Sequence, residues 1–322
     1  MDISVVVAAR EDDRPPHEPL RVAALADRLG YGELWVGEGP TWDAFVLTTA
    51  IGPATERIAM TAGPVPVHVR DPATIARGAS SAAALTGRSV GVALGTSSTR
   101  VVEGVHGRSR ARAATTLAES AEAVRMLIRS ERAAPDGEVV PGSGFRRRLA
   151  PPGGQLTVAA FGDRAIAAAA QHADRMLLDL VSPEQVGLLR AKLDAASAQV
   201  GRTPPRLAAW LPTAVDPAPE SITQIMRSIV GYLTVRGYSD MFTTAGFGEA
   251  VEMAGAGAAP EELLTALPPQ AASEVGLVGD TATVRARLEV YAAAGLDEVA
   301  IVPATSGDPG GERTLAALAP RP

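Results

Sequence analysis

The sequence contains no cysteine. That excludes a disulfide framework, a thiolate metal site and a cysteine nucleophile, and it is compatible with a reducing compartment. Lysine is nearly absent as well: Lys192 is the only one, and the other basic residues are all arginine. Together with the alanine content, this reads as the bias of a GC-rich genome rather than as chemistry. No block of like charge occurs, and the net charge is −6, so an electrostatic case for nucleic acid or anionic lipid is missing. Long hydrophobic runs are missing too. The opening "MDISVVVAAREDD" has an acid at position 2 and a short apolar run, so neither a signal peptide nor a membrane span is expected. A cytoplasmic protein is expected. The G-x-G-x-x-G and G-x-x-x-x-G-K-[ST] patterns are absent, which removes support for dinucleotide or nucleotide binding by those devices. G-x-S-x-G and H-E-x-x-H are absent as well, which weakens hydrolase and zinc-enzyme readings.

What is present is a chain of 322 residues, 46% hydrophobic and 20% charged. That length and balance suit a soluble globular protein with a sizeable core. Short β-rich runs alternate with alanine-rich segments of helical period, the mark of parallel βα units. The strands are expected at Ile3–Ala9, Glu33–Glu38, Ile58–Val65, Ser89–Thr96, Leu156–Phe161, Arg175–Val181, Leu207–Val215 and Glu298–Pro303. Helices are expected at Glu18–Leu29, Trp42–Ala50, Pro72–Leu85, Arg110–Ser130, Arg164–His172, Pro183–Val200, around Ser221–Val235, and at Thr281–Ala294. Glycines close helices in "LGYGELWV" and "LTGRSVGV", and Pro72 and Pro183 sit at helix starts. Eight such units predict a (β/α)₈ TIM-type barrel formed as one domain over residues 1–322. An open doubly wound sheet is the alternative, but it would need a domain break that the sequence does not offer. Two stretches exceed a minimal barrel, near 131–155 and 237–279, the second carrying extra helices such as "PEELLTAL".

In such a barrel chemistry gathers at the C-terminal ends of strands. The ends read as Arg10, then "GEGPTWD", "AGPVPVHV", "GTSSTRVVEGVHG", "FGDR", "LDLVSP", and Trp210 with Pro212. Glu38 closes an apolar strand and is a candidate acid/base at the mouth. The competing reading is a carboxylate satisfied by a rim arginine or by backbone amides. Gly95, Thr96, Ser97 and Ser98 form a rim of amides and small hydroxyls that a ligand would meet. Glu103 and His106, three residues apart, would share one face of a helical turn and supply a proton donor. Their alternative is a Glu–His hydrogen bond that anchors the loop. Gly162, Asp163 and Arg164 stand where the fifth strand meets its helix, a place for a phosphate on free amides with an arginine beside it. The competing reading there is an ordinary cap by Asp163, and the two agree only if Asp163 points away from the anion. His68 reads as an exposed or packing residue, and His172 as complementing a helix C-terminus.

The ordered series "LADRLGYGELWVGEG", "ATERIAMTAGPVPVHVRDPATIARGASSAAALTGRSVGVALG" and "VVEGVHGRSRAR" resembles the bacterial-luciferase-like family. More narrowly, it resembles the actinobacterial branch that uses the deazaflavin coenzyme F420. Weaker similarity through "LTVAAFGDRAIAAAAQHADRMLLDLVSPEQV" and "GDTATVRARLEVYAAAGLDEVAIVP" extends it over nearly the whole chain. The resemblance implies hydride transfer between coenzyme F420 and a small organic substrate, in a homodimer. A reduced-FMN monooxygenase and a non-catalytic flavin-binding or subunit-interaction paralogue are its alternatives. It also implies a bulged third strand with a cis peptide bond behind the deazaflavin ring. That makes Gly63, Pro64 and Val65 cofactor-binding candidates and places the cis bond at or next to Gly63–Pro64. The chain departs from the family where many members carry an Asp-His pair after the second strand. Here Glu38 and Gly39 stand at those positions, with Asp43 a few residues on.

Overall fold

The computed structural model describes residues 1–8, 15, 17–39, 41–129, 137–138, 148–235 and 237–320. Arg10, the end of the first strand call at Ala9, and most of the stretch 131–155 lie outside the described residues. The first half runs β1 (Asp2–Val7), α1 (Glu18–Arg28), β2 (Glu33–Val36), α2 (Ala44–Ile51), β3 (Ala59–Pro66), α3 (Pro72–Thr86), β4 (Val90–Gly95) and α4 (Ala113–Ile128). It continues with β5 (Gly153–Ala159), α5 (Asp163–His172), β6 (Arg175–Asp179), α6 (Pro183–Gln199), β7 (Arg206–Val215) and α7 (Pro219–Val230). Then come α8 (Tyr238–Phe242), α9 (Gly248–Gly255), α10 (Pro260–Ala266), α11 (Ala271–Glu274), β8 (Leu277–Gly279), α12 (Thr281–Ala293), β9 (Glu298–Pro303) and α13 (Glu312–Leu318).

All strand pairings are parallel. Strands β1 to β7 pair in order, β7 pairs with β9, and β9 pairs back onto β1. Eight strands therefore close a barrel, and the helices surround it. The eight expected strands are these eight. The short β8 was not expected: it adds to the upper end of β7, where Thr213–Val215 face Leu277–Gly279 and the pairing with β9 ends at Thr213. Helix starts are fixed locally. Asp71 accepts the Thr74 N–H, Ser182 and Gln185 form a reciprocal capping box, and Asp280 accepts the Thr283 N–H. Asp27 of α1 accepts the N–H groups of Glu56, Arg57 and Ile58 at 2.6, 3.0 and 2.8 Å, which pins the entry to β3. Burial alone would raise that carboxyl, but the three amides hold it below the usual range. Among the described residues no helix is long and apolar enough to cross a membrane.

Strand alternation divides the apolar residues into two sets. Val5, Val7, Leu34, Val36 and Val92 face the helices in the larger cluster. Val6, Trp35, Ala93, Leu177, Trp210 and Ala300 fill the barrel interior. One layer toward the strand starts, the interior turns polar. Arg175, with no exposed surface, binds Glu33 through two hydrogen bonds of 2.8 Å and Glu298 through one of 2.7 Å. Its guanidinium lies 3.9 Å from the Trp35 ring centroid. The Trp35 indole N–H donates to Ser4 Oγ and Glu298 Oε1. This plug closes the lower end of the barrel, so the open space lies at the other end.

Candidate functional site

A cavity of about 2670 Å³ occupies the mouth, where the C-terminal ends of the strands meet their loops. One wall is the β3–β4 pair. The Gly63–Pro64 bond is cis, and the ladder shifts register between Ala62 and Val65. Both features fall where they were expected. The shift turns Val65 out against Leu94 and the helix-side core, while Pro64 joins the cavity wall. Gly63, at φ +114°, has no room for a side chain because a Cβ would collide with the Ala93 carbonyl. Of these three candidates, Pro64 is the one that lines the cavity. Gly95 continues the wall beside it and lies against Pro64 and Ala159.

Aromatic side chains also line the cavity, although only 4% of the chain is aromatic. Trp210, Phe161, Tyr232 and Tyr238 all line the cavity. The Tyr238 ring packs at a tilt 4.7 Å from that of Phe161 and 4.8 Å from that of Tyr232, and its hydroxyl donates to Asp179 at 3.2 Å. Tyr232 and Tyr238 escaped the sequence reading because one fell within the helix expected around Ser221–Val235 and the other in the stretch 237–279, neither marked by a motif. Around the rim, Ala8, Ser97, Leu180 and Asp216 take left-handed φ values near +50° within two residues of the ends of β1, β4, β6 and β7. Non-glycine residues adopt this conformation rarely and at a cost. Here it redirects the chain at four strand ends around one opening.

Glu38 lines the cavity, with its side chain 9% exposed. It is fully engaged. Arg70, from the loop after β3, donates Nε–H to Oε1 at 2.7 Å and an NH2 hydrogen to Oε2 at 2.8 Å, and the Ala44 N–H adds a bond of 3.2 Å. NH2 also donates to Asp43 Oδ2 at 2.6 Å, while Asp43 Oδ1 caps α2 through Phe45 and Val46. Burial would raise the Asp43 carboxyl, but Arg70 and these amides hold it below the usual carboxylate range. Burial disfavours the Arg70 charge, yet its two carboxylates outweigh that and make it harder to deprotonate. The geometry is therefore the rim-arginine arrangement set out above as the alternative for Glu38.

Segment 95–110 closes on itself. Ser98 leads into a π-helical turn, Arg100–Val105, and Arg110 returns to donate to the Ser97 carbonyl at 2.8 Å and to Thr96 Oγ1 at 3.0 Å. Thr96, Ser97 and Ser98 line the cavity with Gly95. Glu103 turns back to accept the Arg110 N–H at 3.1 Å and is not part of the cavity wall. His106 is exposed and lines the cavity. The His106 backbone N–H donates to the Glu103 carbonyl, but no side-chain hydrogen bond joins the two among the described residues. His68 is half-buried, with both ring nitrogens shut from solvent. Burial pushes its pKa below the ordinary value, outweighing the Ala111 amide nearby. Burial does the same to His172, so it is less able to complement the end of α5 by a charge.

At the start of α5, Gly162 is the N-cap and no side chain caps the helix. The Asp163 carboxylate leans away onto Lys192, 2.8 Å from its Nζ. Gly162, Asp163 and Arg164 all line the cavity. The condition for an anion at this helix start is met, with the Asp163 and Arg164 amides free of helix partners. Among the described residues no group of three His, Asp or Glu side chains is placed to hold a metal.

The sequence model of the luciferase-like monooxygenase family matches residues 1–298. None of the curated proteins compared matches the chain. Solved structures do. The coenzyme F420-dependent tetrahydromethanopterin reductase of Methanopyrus kandleri superposes with a TM-score of 0.79 at 15% identity, over 99% of this chain and 98% of its own. An F420-dependent secondary alcohol dehydrogenase, in complex with an F420–acetone adduct, gives 0.76 at 17% identity, over 97% and 96%. The oxygenating constituent of 3,6-diketocamphane monooxygenase from Pseudomonas putida, in complex with FMN, gives 0.69 at 15% identity, over 99% and 96%. At these identities the likeness establishes a shared fold.

Proposed function

This chain belongs to the luciferase-like monooxygenase family, and from that premise we propose that it is an oxidoreductase transferring a hydride between coenzyme F420 and a small organic substrate. The observation that carries the reading is the construction of the mouth. Pro64 and Gly95 line it together with four aromatic side chains, and an uncapped helix start with Arg164 joins them. A planar ring system with a phosphate-bearing tail fits that arrangement. When bound, a deazaflavin supplies a two-electron hydride donor or acceptor. The chain would hold its ring against Pro64 and Gly95, with Thr96 to Ser98 at the edge, and its phosphate on the Asp163 and Arg164 amides. Of the three acid/base candidates, Glu38 is tied to Arg70 and Glu103 to the Arg110 N–H. His106 is thus the group left to exchange a proton in the cavity.

The two F420-dependent neighbours superpose more closely than the FMN-bound one, which supports the deazaflavin. Reduced-FMN oxygenation is the second reading, supported by the FMN-bound neighbour. In either case the protein acts on a small molecule in the cytoplasm, as a homodimer and without nucleic acid or membrane. Titrating the purified protein with F420 and with FMN, followed by fluorescence, tests the reading. Tight F420 binding is expected; tight binding of FMN alone would replace it with the oxygenase. Binding of neither would leave the non-catalytic paralogue. Light scattering tests the dimer.

A further inference from the structure

Arg70 has five N–H donors. Nε–H and both hydrogens of NH2 are committed to Glu38 and Asp43. Among the described residues NH1 makes no hydrogen bond, and it is not among the polar atoms shut away from solvent without a partner, so it is open. The residue lines the cavity, with its side chain 18% exposed, and Phe45 lies under the guanidinium at 5.5 Å. The plane is therefore fixed on one edge by two carboxylates and on one face by a ring. A fixed, half-buried guanidinium with one free nitrogen is a preorganised donor.

We propose that Arg70 NH1 binds a neutral carbonyl oxygen of a ligand in the barrel mouth. The charge balance chooses the class. Arg70, Glu38 and Asp43 together carry one net negative charge, which disfavours a carboxylate or phosphate at this edge and leaves a neutral acceptor favoured. Two sources offer that chemistry: a ring carbonyl of the coenzyme or a carbonyl group of the substrate. The inference rests on the mouth being the ligand site, as in the reading above, and not on which coenzyme occupies it. The same fork ties the loop after β2 to the loop after β3, so Arg70 also positions Trp42 in the cavity wall.

The test separates binding from positioning. Arg70→Lys keeps a cation that pairs with Glu38 but has no planar second edge, whereas Arg70→Met loses both functions. Trp35 and Trp210 are buried and Trp42 is partly exposed, so acrylamide quenching of tryptophan emission reads the loop. Binding is measured with F420 and FMN for the coenzyme and with cyclohexanone against cyclohexene for the substrate. Quenching of Arg70→Lys should stay within about two-fold of the parent, while its affinity for the source that Arg70 reads falls about ten-fold. A loss confined to F420 or FMN assigns the contact to the coenzyme. A loss confined to cyclohexanone, with cyclohexene unchanged, assigns it to the substrate. Unchanged affinity for every probe with an ordered loop would overturn the proposal. If quenching rises in Arg70→Lys, Asp43→Asn supplies the deciding measurement. It leaves the Glu38 fork in place, and removing one negative charge should strengthen carbonyl binding less than that of cyclohexanecarboxylate. An opposite order would overturn the proposal. Failure of the parent protein to bind F420 or FMN would count against the proposed function, while the cyclohexanone comparison would still decide this one.

Discussion

Arg175→Met removes the cation that binds Glu33 and Glu298 in the plug beneath the cavity and leaves a side chain of similar length. Three ionic hydrogen bonds of 2.7–2.8 Å disappear, with two weaker ones to Thr61 and Thr157 at 3.2 Å. The partners suffer unequally. Glu33 is 27% exposed along its side chain and regains some hydration, whereas Glu298 is 2% exposed and keeps only Ser4 and Trp35 as donors. Breaking a buried pair by removing one member costs about 3–5 kcal/mol. The remaining donors and the access of water to Glu33 place this case near the lower end, about 3 kcal/mol. With a denaturant slope of about 3 kcal/mol/M or more for a chain of this size, the urea midpoint should fall by up to about 1 M. Acid gives a second signature. Burial alone would raise the Glu33 carboxyl, but hydrogen bonds and charge from Arg175 hold it below the usual range. Without Arg175 only the Thr61 hydroxyl and the charge of Arg206 still oppose burial, so the variant gains stability by protonation before the parent does, and the gap should narrow from pH 7 to pH 5. Adding Glu298→Gln should recover more than half of the loss. A deficit under about 1 kcal/mol at pH 7, or one that stays constant down to pH 5, would refute this account of the plug.

Arg164→Ala should weaken F420 binding by about 1–3 kcal/mol if it makes a charge-assisted phosphate contact; an unchanged dissociation constant would send the phosphate elsewhere. Asp27→Ala strands three backbone N–H groups at the entry to β3 and should cost about 2–4 kcal/mol in urea unfolding, while a loss under about 0.5 kcal/mol would mean that water replaces the carboxylate. His68 and His172 both have folded pKa values below the ordinary 6.5. Above that value neither state is charged. Below it the unfolded chain takes up protons that the folded one resists, so stability should fall as pH drops from 6.5 toward 5. His172→Gln should flatten that slope, by at most about 1.4 kcal/mol per pH unit, and an unaltered slope would remove His172 from the effect.

The eight barrel strands were legible because each is an apolar run bounded by turn residues and buried on both faces. β8 was not legible: its three residues make no pattern, and they pair only because β7 is long enough to offer a second edge. α13 follows the last strand as an ordinary helical stretch, and nothing in its residues announces that Tyr31 will donate to the Leu315 carbonyl. The site was legible in its positions and less so in its partners. Pro64 was singled out by the resemblance, and proline is tolerated in a central strand only where the ladder is broken, which is where the register shift lies. Arg70 drew none. It meets Glu38 across 32 residues of sequence, and in a chain so rich in arginine no local pattern distinguishes it. Glu103 was assigned to its face by helical spacing, but a π-helical turn rotates residues differently, and the Arg110 amide claims it.

The contact between Asp163 and Lys192 uses the single lysine of the chain. A lysine-specific protease therefore has one bond to cut, Lys192–Leu193, in the middle of α6, where Leu193 is wholly buried. Helical backbone resists cleavage, so the cut requires α6 to leave the barrel. A brief digestion in rising urea would then yield two fragments, residues 1–192 and 193–322, in proportion to the molecules that have opened. Composition has left this protein with a built-in single-site gauge of its own unfolding. Its position next to the start of α5 would also let ligand protection at the barrel mouth be read on a gel.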